Sequence, residues 1–117
     1  MKLLVLGKEH KITLLSKQWL GNDLYQQGKY SEAERMYRQA AEGREKVLGK
    51  EHEDTLLSKQ CLGDALYQQA KYSEAERMHR QAAEGKEEEL GKEHKDTLLS
   101  KQWLKKILRK ESMQKPK

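Results

Sequence analysis

Four histidines, one cysteine and a run of cations are the residues of this chain best equipped to act on a ligand. His10, His52 and His94 recur at intervals of 42 residues. A zinc site needs three or four such ligands to converge on one point. Ligands supplied one per step of a repeat stay apart, so these three read as loop or capping histidines. His79 stands where Tyr37 stands one interval earlier, and reads as a partly buried spacer. Cys61 is the single cysteine, which rules out an internal disulfide. A nucleophilic thiol needs a base and an orienting partner, and no Cys-His-Asp arrangement is evident. Cys61 instead takes the place held by Trp19 and Trp103, which points to packing. Gly7-Lys8 and Gly49-Lys50 follow helical stretches rather than opening a helix after a strand, so the phosphate-loop context fails. The reading is a non-enzyme with no catalytic residue, no cofactor and no metal.

The cations cluster late. The stretch 5–46 carries a net +2, 47–88 carries −3 and 89–117 carries +5. Lys101, Lys105, Lys106, Arg109 and Lys110 fall on one predicted helix, in reach of phosphate backbones. The competing reading is a polar cap, because a repeat array needs a solvated outer face at its end. Leu104, Ile107 and Leu108 would still cover the repeat before it. Nucleic-acid contact is the weaker alternative, and a salt-dependent DNA-binding assay separates the two.

The elements that position these residues are helices. Phe is absent and Pro116 is the single proline. Val5, Val47, Ile12 and Ile107 are the only β-branched aliphatics, so strand signals are nearly missing. The good helix formers Ala, Leu, Glu, Lys, Arg and Gln dominate. Leu-Gly-Lys-Glu-His begins at Leu6, Leu48 and Leu90, and Leu-Leu-Ser-Lys-Gln at Leu14, Leu56 and Leu98. Residues 5–46 and 47–88 differ at nine positions, and a third copy breaks off at Lys105. Each copy predicts two helices, about His10–Gln27 and Ser31–Leu48 in the first, joined by Gly28-Lys29-Tyr30. Ser31 with Glu34, and Ser73 with Glu76, fit capping boxes. Gly49 and Gly91 fit the residue that ends a helix in the left-handed region. Gly43 and Gly85 fall inside the second helices, at a cost of about 1 kcal/mol each relative to Ala. They mark either a close helix crossing or an early bend.

Leu20-Gly21, Tyr25, Gly28, Tyr30, Ala33, Tyr37 and Ala40 resemble the tetratricopeptide signature, and Leu62-Gly63, Tyr67, Tyr72, Ala75 and Ala82 repeat it. The ordinary repeat has about 34 residues. The longer period and the Leu-Gly-Lys-Glu-His-x-x-Thr opening look like the kinesin light chain subtype. The resemblance covers nearly the whole chain; repeats of the HEAT type have a similar period but lack this pattern. The subtype's loop proline is replaced by Lys11, Glu53 and Lys95, and Ala70 replaces the turn glycine, predicting a strained or helical turn. Gln18 and Trp19 stand where the subtype carries asparagines.

The fold expected is all-α, a tandem helix-turn-helix solenoid in one domain. A stub at 1–6 is followed by repeats at 7–48 and 49–90, a capping helix at 91–111 and a disordered tail at 112–117. The resemblance implies a protein-binding scaffold whose first helices line a concave groove. The groove positions are then Gln18, Asn22, Tyr25 and Gln26 in one copy, and Gln60, Asp64, Tyr67 and Gln68 in the next. Helical spacing independently places each set within an arc of about 100°. Leu20, Leu24, Ala33, Met36 and Ala40 supply the hairpin core. The partner implied is a protein or peptide; the same face also reads as mere solvated surface on a structural repeat module. Near-identical copies predict self-association through the ends. No run approaches the ~18 apolar residues that span a membrane, and the lone thiol fits a reducing, cytoplasmic compartment.

Overall fold

The computed structural model describes residues 11–91 and 93–114, and among them every regular element is an α-helix. In chain order these are α1 (Lys11–Gln26), α2 (Tyr30–Leu48), α3 (Glu53–Gln68), α4 (Tyr72–Leu90) and α5 (Lys95–Gln114). Each packs on the next, giving two helical hairpins and a closing helix. The N-terminal stub, His10 and residues 115–117 lie outside the described residues.

Small residues set the spacing between helices. Ala33, Ala40, Ala65, Ala75 and Ala82 have no exposed surface. Around them Tyr37, Leu62, Leu66 and Ile107 form a continuous core, with Leu24, Tyr25, Cys61, Tyr67, Tyr72 and Met78 packed against it. Gly43 and Gly85 mark close crossings rather than bends. A Cβ on Gly43 would lie 2.3 Å from a Leu14 methyl carbon, and one on Gly85 2.5 Å from the same carbon of Leu56. Both leucines are buried, so the missing methyl is the room that they fill.

The turns inside the two hairpins are superimposable in their bonding. Gly28 N–H donates to Tyr25 O and Lys29 N–H to Leu24 O; Ala70 and Lys71 repeat both bonds to Tyr67 and Leu66, all at 2.9 Å. Gly28 has φ 79° and Ala70 φ 62°. The alanine is therefore held in the left-handed region by its surroundings, the strained alternative of the two expected.

Three expectations need correction. Helices α2 and α4 begin at Tyr30 and Tyr72, with Lys29 and Lys71 as caps, so Ser31 and Ser73 lie inside the first turn. The entry is held by aromatic edges instead, Tyr30 against Tyr25 and Tyr72 against Tyr67, at 5.0 and 5.2 Å between ring centroids. Leu20 is not core but 47% exposed, whereas Leu62 at the same place in the next copy is 2% exposed. That place faces the hairpin before it, and no described helix precedes α1. Finally, α5 runs on to Gln114, past residue 111. Ser112 stands where Gly28 and Ala70 turn the chain, and the helix continues through it.

Candidate binding face

The first helix of each step, α1, α3 and α5, carries the face on which the groove was expected. His52 fixes the start of α3: its Nδ1 accepts from Asp54 N–H at 3.0 Å, so it is the helix cap. From there the 3.6-residue period brings Gln60, Asp64, Tyr67 and Gln68 to one side. The period does the same for Asn22, Tyr25 and Gln26 on α1.

Six of the eight expected residues keep side chains on this surface. Asn22, Gln26 and Gln68 are exposed, and Tyr25, Asp64 and Tyr67 are half-buried. Gln68 Nε2 donates to Tyr25 Oη at 3.2 Å, which joins the rows of successive copies. Asn22 Oδ1 accepts from Tyr37 Oη at 2.7 Å. At the matching place His79 Nε2 lies 3.2 Å from Asp64 Oδ1, without the alignment of a hydrogen bond. His79 is fully buried rather than partly so.

Gln18 is a correction, being only 3% exposed. Its Oε1 accepts from Ser58 Oγ at 2.8 Å, and its Nε2 donates to Cys61 Sγ at 3.3 Å. Arg44, also buried, donates to Ser58 Oγ at 3.0 Å and to Asp54 O at 3.2 Å. Gln18 thus stitches two repeats together from inside. Gln60 is half-buried, and accepts from Lys86 Nζ at 2.7 Å, so it is largely spent on structure. The tyrosines are not idle surface either. Both rings pack on the core, and burial raises the pKa of the Tyr25 hydroxyl.

Sequence reasoning counted Lys106 among the clustered cations but not on this face, although the period alone places it where Asp64 and Asn22 stand. Its Nζ lies 4.8 Å from the centre of the Trp103 ring and 5.8 Å from that of Tyr67, within cation–π range. Lys101 Nζ is paired with Glu87 at 3.0 Å. Two of the five clustered cations are thereby tied to the fold, in keeping with a cap.

Burial pushes the Cys61 thiol up to about 11. It is a thiol and not a thiolate at neutral pH, which suits packing and not nucleophilic attack. Among the described residues no group of three or more His, Cys, Asp or Glu side chains is placed to hold a metal ion. No described helix is long and apolar enough to cross a membrane. A cleft of about 340 Å³ opens between α2, α3 and α4, lined by Ala41, Leu62 and Met78 with charged side chains at its rim. None of the eight expected residues lines it.

The model of the tetratricopeptide repeat family matches residues 11–99. Among solved structures, the nearly identical repeats of a Podosopora anserina protein described as a kinesin light chain align with a TM-score of 0.83 and 25% identity, over 89% of this chain and 49% of that one. A methionine-substituted form of the same protein aligns with a TM-score of 0.78 and 24% identity, over 92% and 50%. This chain therefore spans about half the length of these structural relatives. A search of curated proteins found no match. The 42-residue period, the paired helices and these matches together establish that the chain belongs to the tetratricopeptide repeat family, with repeats like those of kinesin light chains.

Proposed function

We propose that this chain is a protein-interaction module that holds an extended or helical peptide across Asn22, Tyr25, Gln26, Asp64, Tyr67 and Gln68. The observation that carries it is the Gln68–Tyr25 bond between successive copies. It sets amide and phenol groups in one continuous row across a repeat boundary. Amides can pair with peptide backbone, and a half-buried tyrosine offers apolar area beside a hydroxyl. The single, half-buried thiol suits a reducing, cytoplasmic setting.

The test uses peptides selected by display on the intact chain. The double variant Gln26→Ala/Gln68→Ala should melt within ~0.5 kcal/mol of the parent, as exposed positions do. Its affinity for the selected peptides should fall about tenfold, the equivalent of ~1.4 kcal/mol. Unchanged affinity in a folded double variant would show that the peptide binds elsewhere.

A further inference from the structure

One helical stripe occurs three times in this chain, and only once is it left open. On α3 it is Ser58, Cys61, Leu62 and Ala65; on α5 it is Ser100, Trp103, Leu104 and Ile107. Ser58, Leu62, Ala65, Ser100 and Ile107 are buried, and Cys61, Trp103 and Leu104 are half-buried. These two stripes seat α3 on α2 and α5 on α4. On α1 the same places hold Ser16, Trp19, Leu20 and Asp23, and all four are exposed, Trp19 at 62%.

The open stripe is nearly a copy of the seated one. Thr-Leu-Leu-Ser-Lys-Gln-Trp-Leu reads identically at 13–20 and 97–104. In α5 the tryptophan of this octapeptide stacks on His79 and meets Tyr67 edge-on, at 6.0 and 5.9 Å between centroids. One turn further on the copies part. Ile107 and Ala65 have no exposed surface, and α1 has Asp23 in their place.

We propose that α1 carries a docking stripe for α4 of a second copy, in the seat that α5 fills within its own chain, and that Asp23 is the residue that keeps it from being used. Seating α1 there drives the Asp23 carboxylate into the dry place of Ile107. Burying a carboxylate without a partner is among the costliest events in packing. The covalently attached α5 also competes at an effective concentration in the millimolar range. The stacking expected from near-identical copies is thus available in shape and blocked in charge. This inference does not depend on the peptide-binding reading.

The test is sedimentation velocity on the full chain, from low micromolar to near-millimolar concentration. The parent should stay monomeric. Asp23→Ile should associate with rising concentration, about a hundredfold more strongly than the parent, as loss of a buried charge implies. Asp23→Ile/Ile107→Asp, which moves the charge from α1 to α5, should associate more strongly still, and adding Trp19→Ala should return it to monomer. A folded Asp23→Ile that remains monomeric throughout overturns the proposal, as does a parent that associates equally well. If the chain's own first ten residues cover the stripe, Asp23→Ile will raise the melting temperature with no change in mass, which also overturns it. Should the exchange variant fail to fold by circular dichroism, the Asp23→Ile series decides alone.

Discussion

Ala70 is the one non-glycine residue among those described with positive φ, at 62°. A side chain in that region costs about 1–2 kcal/mol, and Gly28 shows what the turn prefers. Ala70→Gly should raise stability by about 1 kcal/mol, read from the denaturant midpoint at unchanged slope. Glu34 is the converse, a residue bound more closely than its surface position suggests. Partial burial raises its pKa, but hydrogen bonds from Arg38, Gln69 and Lys71 outweigh that and hold it below the ordinary 4.5. A carboxyl with a lowered folded pKa stabilises above its unfolded value, and the contribution is lost as pH falls through the folded value. Glu34→Gln should therefore be less stable than the parent at neutral pH, with the gap closing below pH 4.5. Melts at neutral and acid pH check this. Local spacing made Glu34 legible as half of a capping box and as the i, i+4 partner of Arg38. Its contacts to Gln69 and Lys71 come from the next repeat, which local spacing does not display.

At the scale of the helix, one junction is built twice with different parts. Arg44 bonds Ser58 across the first junction; Lys86 at the second reaches Gln60 instead, and Ser100 Oγ is left buried without a bond. A guanidinium offers several donors in a fork, an ammonium a single point. Arg44→Ala should cost about 1–3 kcal/mol, because Ser58 and the Asp54 carbonyl lose a buried donor, and Lys86→Ala less. Tyr25→Ala/Tyr67→Ala should destabilise by more than 1 kcal/mol, since both rings bear on the core and truncating packed aromatics is costly. Chemical denaturation of the three variants orders these effects. The four hairpin helices were legible almost to the residue, because Gly28, Gly49 and the 42-residue period punctuate them. Gln18 was not legible as a buried residue. An amide reads as surface until a second helix supplies Ser58 and Cys61 to satisfy it.

For the whole molecule, position in the array outweighs residue identity. Leu14 is 1% exposed and Leu98 46%, although both open the same Leu-Leu-Ser-Lys-Gln run. Leu14 is covered by the second helix of its own hairpin, at Gly43, and no described helix follows α5. A repeat fixes which helix face is apolar, and neighbours decide whether that face is closed. The family and fold could thus be read from recurrence, whereas end exposure and the inward turn of Gln18 and Gln60 could not. On the function proposed above, the face of α1 and α3 is where a partner binds. The most direct test of that function is a titration of the intact chain with display-selected peptides, following side-chain and backbone amides by nuclear magnetic resonance. Saturable shifts should centre on Asn22, Gln26, Asp64 and Gln68, with Gln18 moving little. Shifts centred instead on Ala41, Leu62 and Met78, around the cleft between α2, α3 and α4, would contradict it.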